Sequence, residues 1–472
     1  MLNNYLLITW RTLTRNKIFS LINLFGLAIG MAACILILQF VGFEMSFDQF
    51  FQNKNDIYRV IGEDLNNSTK YPITRPDVAP DMGENFPEVV AATRIFPRDG
   101  TMSYGAGENI RSFREERYSY ADAHFFGVFD LPATDTKAME KPFSILLSES
   151  TASRYFGQEN PVGKVLTLHD DFGHIDYTVR GTYPDLPPNS HIQPDFLVSF
   201  HHLEGDLWQQ YNLGTWTAFF SYVRLQPGSD PAVLTGKFPA LIEQAVGKDA
   251  AYALHLQPLQ DIHLHSGFNY DRAITGSLQR VYFLLTLAVF ILLLAWVNYV
   301  NLSTSRALDR AREVGIRKLL GSVRSQLMGQ FLIESLLLNV LAGFVAVSMV
   351  QVFAPGVYSL AGIEGIPAGA LFISPVQGLL LGLFFFVGAL VAGLYPAWVL
   401  SAPEAAKVLS GNFGRTPRGL RLRKALVVFQ FAVAAILITG TFAAYRQLDF
   451  MRKQSLGMDV VQQFAIDRKS VV

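Results

Sequence analysis

Residues 18–43 read IFSLINLFGLAIGMAACILILQFVGF, an apolar run of 26 residues without a formal charge. An α-helix needs about 20 such residues to cross the hydrocarbon core of a bilayer. Runs of similar length predict further spans at 281–302, 329–353, 373–400 and 425–445, and the run at 329–353 contains one charged residue, Glu334. The sequence therefore predicts an α-helical membrane protein with five transmembrane helices.

The composition excludes several classes of protein. Charged residues make up 17% of the 472 residues, against about 25% in soluble globular domains. The 39 basic and 39 acidic side chains balance, so there is no electrostatic argument for a nucleic-acid partner. Cys34 is the only cysteine, which excludes an internal disulfide. It follows Met31-Ala32-Ala33, as in a lipoprotein cleavage box, but the apolar run continues beyond it and favours an uncleaved span.

Lys and Arg in short loops predict the orientation, because cytoplasmic loops are enriched in positive charge. Fifteen of these residues lie in segments 1–17, 303–326 and 401–424, and none lies in the short loop 354–371. We therefore expect a cytoplasmic N-terminus, with 44–280 and 446–472 on the outside.

The outer segment 44–280 is long enough to fold as a domain with its own core. Alternating and β-branched stretches predict strands, whereas 3.6-residue periodicity predicts helices. The predicted helices lie at 148–156, with Ser148 as N-cap, and 231–246. The predicted strands lie at 143–147, 165–168, 177–180, 219–225 and 254–262. This interleaving indicates a large α+β domain between helices 1 and 2.

The sequence contains no convincing catalytic or cofactor motif. Residues 157–165, GQENPVGKV, resemble a phosphate loop but have five residues between the glycines instead of four, and Val165 stands where magnesium requires a hydroxyl. On a strand, His263 and His265 would place both rings on one face, yet two ligands are fewer than a zinc site needs. We therefore expect no metal, no bound cofactor and no enzymatic activity in this chain.

Two glycine pairs have the small-xxx-small spacing that lets membrane helices approach closely. Gly26 and Gly30 lie in the first span, and Gly378 and Gly382 lie in the fourth. Each pair is either a helix interface or merely glycine in a membrane helix.

The cytoplasmic stretch 305–322, SRALDRAREVGIRKLLGS, continues the second span as a helix. Its charged residues recur every three or four positions and form a ridge, while Leu308, Val314 and Ile316 are apolar. Such a ridge can dock another protein, or it can anchor the helix to anionic lipid. The spacing alone does not separate the two.

The run REVGIRKLLGS at 312–322, QFLIES at 330–335 and GLYPA at 393–397 closely resemble the MacB/FtsX family of ABC transporter permeases. IYRV at 57–60 is similar to the opening of its large two-module members, and LPPNSH at 186–191 is similar to its periplasmic core domain. The resemblance implies a MacB-like periplasmic core domain at 44–280 and an FtsX-like permease domain at 281–400, in the bacterial inner membrane.

The resemblance also implies a mechanism. A separate cytoplasmic ATPase dimer would bind ATP and push on the coupling segment 303–326, and the first spans would carry that motion outwards for export or efflux. A periplasmic adaptor and an outer-membrane channel are further expected partners. The residues implied in ATPase coupling are Arg312, Glu313, Gly315, Arg317, Lys318, Gly321 and Glu334.

The chain is shorter than the two-module members it resembles. The basic linker 401–424, the span 425–445 and the segment 446–472 resemble the beginning of a second module. Residues 467–472 can be encoded by a string that matches a common short-read sequencing adapter, so we expect a truncated sequence whose natural form continues beyond residue 466.

Two other functions fit part of the pattern. An FtsX-like regulator would transmit ATPase motion to cell-wall hydrolases instead of exporting a substrate. A chemoreceptor or sensor kinase also has an outer domain between spans, but the three additional spans and the lack of a cytoplasmic signalling domain oppose it. The substrate, whether lipid, lipoprotein, peptide or drug, is not predicted.

Overall fold

The computed structural model describes residues 7–9, 11, 14–15, 17–105, 110–247, 250–305, 307–361, 375–401 and 417–454. Most of the basic linker, the end of the loop 354–371 and the tail 455–472 lie outside the described residues, as do the predictions made for them. The chain forms two compact units. We call 1–38, 286–355 and 374–472 the membrane unit, and 39–285 with 356–373 the sheet unit.

The helices are of two kinds, long apolar ones and shorter ones, most of which belong to the sheet unit. They are α1 (Lys17–Glu44), α2 (Val78–Asn85), α3 (Phe125–Phe129), α4 (Glu149–Phe156), α5 (Asp206–Gln210), α6 (Pro231–Thr235), α7 (Phe238–Val246), α8 (Ile262–His265), α9 (Leu278–Ser305), α10 (Ala307–Leu319), α11 (Arg324–Leu360), α12 (Pro375–Ser401) and α13 (Pro417–Lys453).

The prediction of five membrane helices is confirmed, because α1, α9, α11, α12 and α13 are long and apolar enough to cross a bilayer. These helices mostly extend beyond the predicted apolar runs. The reason is that helical hydrogen bonds continue into polar flanks, as at Arg324 and Lys453, where hydropathy no longer marks the element.

The sheet unit is built on one ten-stranded mixed sheet. Its strands are β1 (Ile57–Asp64), β2 (Thr69–Tyr71), β3 (Val89–Tyr104), β4 (Arg111–Ala121), β5 (Ser144–Ser148), β6 (Val165–Asp170), β7 (Gly173–Tyr183), β8 (Phe196–Ser199), β9 (Phe220–Leu225) and β10 (Tyr252–Pro258). The strand order is β10-β1-β9-β3-β4-β8-β5-β7-β6, with β2 beside β1. An additional β3–β6 pairing closes six of these strands into a ring.

The interior of that ring holds a large apolar cluster, in which Phe96, Tyr118, Leu147, Leu168 and Tyr177 are among the buried side chains. Because side chains alternate along a strand, each strand contributes every second residue to this core. The described residues form two further, smaller clusters elsewhere in the sheet unit. The predicted α+β domain is thus confirmed, with its core inside and beside a closed sheet.

Several local predictions are confirmed and two are wrong. The Ser148 hydroxyl accepts a hydrogen bond from the Thr151 amide, as predicted for a helix N-cap. The predicted helix 231–246 is instead two helices, since Pro239 cannot donate the hydrogen bond that would continue α6 into α7. The predicted strand 254–262 ends at Pro258, which has no N–H to donate to a neighbouring strand. A short 3-10 helix follows it.

Candidate functional site

The coupling segment contains helix α10, which ends in a glycine-dependent turn. Gly321 has φ +95°, in the left-handed region that glycine adopts without steric cost. The amides of Gly321 and Ser322 donate to the carbonyls of Lys318 and Arg317, both at 3.0 Å. This pair of bonds is the Schellman arrangement. It accounts for Gly321 as the residue that ends the helix and fixes the following chain direction.

Arg317 braces α10 against the next membrane helix. Its guanidinium pairs with Glu313 one turn earlier and also donates to the Gln330 side-chain oxygen on α11. Gln330 is buried, whereas the Glu313 side chain is 58% exposed. The charged ridge predicted from the sequence therefore has a buried end at Gln330, which fixes the orientation of α10.

Beside this brace, the end of α10 and the residue that follows it present an apolar surface, of which the sequence singled out only Ile316. Ile316, Leu319 and Leu320 are 57%, 62% and 82% exposed, whereas Val314 is buried. Their spacing of three and four residues places them on one helical face. We call Ile316, Leu319 and Leu320 the apolar face; the signal for it was the Leu-Leu pair one turn after Ile316.

The remaining predicted coupling residues lie in or near α10. Gly315 is buried and Lys318 is half-buried. Arg312 lies in α10, but its side chain is outside the described part of the structure. Glu334 is half-buried on α11, one turn after Gln330 and on the same face. Its role in coupling stays a prediction.

The two predicted glycine pairs differ in their surroundings. A Cβ on Gly30 would lie 2.6 Å from the Ala295 Cβ, and one on Gly26 would lie 3.3 Å from the Asn298 side chain, so α1 approaches α9 closely at both. A Cβ on Gly382 would meet open space. Gly378 lies on α12. Close approach on α12 occurs instead at Gly393, where a Cβ would lie 2.6 Å from the Ser335 hydroxyl of α11.

In the sheet unit, residues immediately after α1 are held by the segment 189–191. The Asn189 side chain donates to the Ser46 carbonyl at 2.9 Å, and the Asp48 amide donates to the Asn189 carbonyl at 2.9 Å. His191 Nδ1 donates to Asp48 Oδ1 at 2.8 Å. The family-like motif at 186–191 therefore has a definite role, since it anchors the chain as it leaves the first span.

His191 extends this anchor into the sheet. Because its Nδ1 donates to Asp48, its Nε2 can accept a hydrogen bond from the Tyr222 hydroxyl, 3.0 Å away. Burial raises the pKa of Tyr222, which keeps that hydroxyl protonated. All three side chains are buried, and the chain of bonds fixes the exit of α1 to β9.

A second buried network holds the chain that leads into α9. Arg59 on β1 is fully buried and donates to both carboxylate oxygens of Asp271, at 3.0 and 2.9 Å. Its Nε and Nη2 also donate to the Gln257 side-chain oxygen, and Nη2 donates to the Ser266 hydroxyl. We call residues 44–48, 189–191 and 263–276 the joint, because they connect the sheet unit to the ends of α1 and α9.

The structure places the two histidines that the sequence analysis weighed as metal ligands. His263 and His265 lie in the short helix α8 and not on a strand, so their rings do not share a face; His263 is buried and the His265 side chain is 51% exposed. Among the described residues, no group of three or more His, Cys, Asp or Glu side chains has the placement of a metal site.

Comparison with known proteins agrees with this architecture. Residues 20–240 match the MacB-like periplasmic core domain, and residues 285–405 match the FtsX-like permease C-terminal domain. The ABC transporter permease YknZ of Bacillus subtilis is 31% identical over 219 residues, 46% of this chain and 50% of YknZ. The macrolide export ATP-binding/permease protein MacB of Burkholderia lata is 23% identical over 222 residues, 46% of this chain and 29% of that protein.

Among solved structures, the periplasmic region of MacB from Actinobacillus actinomycetemcomitans is similar, with a TM-score of 0.32 and 13% identity over 44% of this chain and 90% of that chain. The chain matches half the length of YknZ and less than a third of MacB. The two family models follow each other along the sequence and together match most of it. The chain therefore belongs to the family of ABC transporter permeases that join a MacB-like periplasmic core domain to an FtsX-like permease domain.

Proposed function

We propose that this chain couples a separate cytoplasmic ABC ATPase dimer to conformational change in its periplasmic domain, and that the change drives export. In this proposal ATP is bound by the ATPase alone, and the N-terminus and α10 face the cytoplasm. A periplasmic adaptor and an outer-membrane channel would complete the export route.

The observation that supports the proposal most is the apolar face of α10. Three large aliphatic side chains are exposed at the C-terminal end of a helix that is fixed to α11 through Arg317 and Gln330. A braced helix can transmit a push, whereas a loose one would absorb it. Clusters of exposed apolar side chains also mark many protein interaction sites.

The alternative is that α10 anchors to lipid. To separate the two, we would replace Leu320, the most exposed of the three, by Asp. We would then measure ATP hydrolysis while the cognate ATPase is titrated onto the reconstituted chain, so that both affinity and stimulation are obtained. Burial of a leucine contributes about 1.5–3 kcal/mol, so the affinity for the ATPase should fall about 10- to 100-fold. Leu65→Asp, on the exposed surface of the sheet unit, is the control.

If Leu320→Asp leaves binding and stimulation of the ATPase unchanged, α10 does not dock the ATPase and the proposal is wrong. The same coupling could instead serve a regulator of cell-wall hydrolases. Genes beside the locus would separate these functions, because an adaptor gene indicates efflux and a hydrolase gene indicates regulation.

A further inference from the structure

The last residue of α1, Glu44, is buried against His263 in the sheet unit. The side chains of Glu44 and His263 are 10% and 2% exposed, and Glu44 Oε2 lies 3.2 Å from His263 Nε2. The two residues are 219 positions apart in sequence. Burying polar groups of this kind is costly unless both are hydrogen-bonded.

The hydrogen bonds around His263 determine how many protons the pair holds. His263 Nδ1 lies 2.7 Å from the Ile274 carbonyl, which can only accept, so Nδ1 carries a hydrogen. A neutral ring would then present a lone pair at Nε2 to a carboxylate, which is repulsive. One further proton must therefore lie between Nε2 and Oε2, which makes the pair an imidazolium and a carboxylate or their neutral equivalent.

The pair is closely packed. The Phe47 ring stacks on the His263 ring with centroids 3.4 Å apart and planes 4° apart. Gly276 also lies against the pair. A Cβ there would overlap Glu44 Oε2 and lie 2.7 Å from His263 Nε2. The Gly276 amide donates to the His263 carbonyl at 2.8 Å.

Gly276 is two residues before α9 begins at Leu278. The pair thus touches the end of one span and the chain entering another. We propose that Glu44 and His263 form a one-proton clamp that ties the end of α1 to the start of α9, so that the two helices act on the periplasmic domain as one. The clamp rests on the proposed function for its role in coupling, and Glu44 and His263 act as positioning residues.

The clamp itself is tested by hydrogen exchange of the peptide 266–280 in the full chain. Glu44→Ala and His263→Phe should each speed exchange there about 10- to 100-fold, the range for losing a charged hydrogen bond in a buried site. The double variant should be no worse than the more severe single variant. Glu44→Gln should restore protection to within about threefold, because its amide can donate to a neutral Nε2. Gly276→Ala should behave like Glu44→Ala, since it displaces the pair sterically.

Additive single effects, or failure of Glu44→Gln to restore protection, would show that the two residues do not act as a unit. Coupling is read separately, as the change in exchange of the same peptide when the reconstituted ATPase is trapped with MgATP and vanadate. Wild type and Glu44→Gln should show this change, and Glu44→Ala should lose it while stimulating ATP hydrolysis to within about twofold of wild type. If Glu44→Ala keeps the change, the clamp does not carry coupling. If wild type shows no change, the proposed function fails, whereas the clamp is still decided by the variants without ATPase.

Discussion

Replacing Asp271 by Ala tests whether the joint is a rigid connection. The change removes both hydrogen bonds that the fully buried Arg59 makes to the carboxylate, at 3.0 and 2.9 Å. It also removes the acceptor of the Ala273 amide. Breaking a buried ion pair by removing one partner costs about 3–5 kcal/mol, because the remaining charge stays buried. That is a large part of the roughly 5–15 kcal/mol by which a domain is stable.

The assay is urea unfolding followed by the fluorescence of Trp208 and Trp216 in a variant whose other three tryptophans are Phe. The midpoint should fall by more than about 1 M, given typical urea slopes. Arg114→Ala is the matched control, because Arg114 pairs with Asp99 in solvent and its side chain is 72% exposed. Exposed pairs contribute about 0.2–1 kcal/mol. A loss in Asp271→Ala no larger than in this control would refute the reasoning.

Three further outcomes are expected. Burial lowers the pKa of His202 to about 4, so the folded state resists protonation and stability should fall by about 2 kcal/mol from pH 7 to pH 5; His202→Phe should lack this component in urea unfolding, whereas replacing the exposed His201 by Gln should retain it. Gly30→Ala should destabilise the packing of α1 on α9 by about 1–3 kcal/mol, seen as a lower melting temperature in detergent, while Gly382→Ala should leave it unchanged; equal effects would contradict the interface. Reporter fusions after residues 60, 200 and 362 should report the periplasm and those after 316 and 412 the cytoplasm, and a cytoplasmic signal at 200 would overturn the orientation.

The membrane helices could be predicted because the bilayer fixes how long an apolar run must be. The sheet was harder. Strand β3 contains Pro97, Asp99 and Gly100, which read as a turn, yet the strand continues through an irregularity in its pairing with β4 between Arg98 and Gly100. Strand β4 is rich in Arg and Glu, so it lacks the alternation of a half-buried strand. Partners far along the chain stabilise both strands, and a single sequence does not reveal them.

The contacts of the candidate site also divide into those that the sequence predicted and those that it did not. Gly321 and the Glu313–Arg317 spacing are local features, so the sequence pointed to them. The Arg317–Gln330 bond, the Arg59–Asp271 pair and the Glu44–His263 contact join residues that are 13, 212 and 219 positions apart. Those contacts depend on the tertiary fold. The motif at 186–191 was visible as a resemblance, but its role in holding Asp48 required the structure.

The central claim is that motion of an ATPase on one side of the membrane reaches the domain on the other. The most direct test is hydrogen exchange of residues 44–48 and 266–276 in proteoliposomes with the cognate ATPase, compared with and without MgATP and vanadate. We predict an ATP-dependent change in wild type that is lost in Glu313→Arg/Arg317→Glu, although that variant inserts normally. Identical exchange in wild type with and without the trapped ATPase would contradict the account.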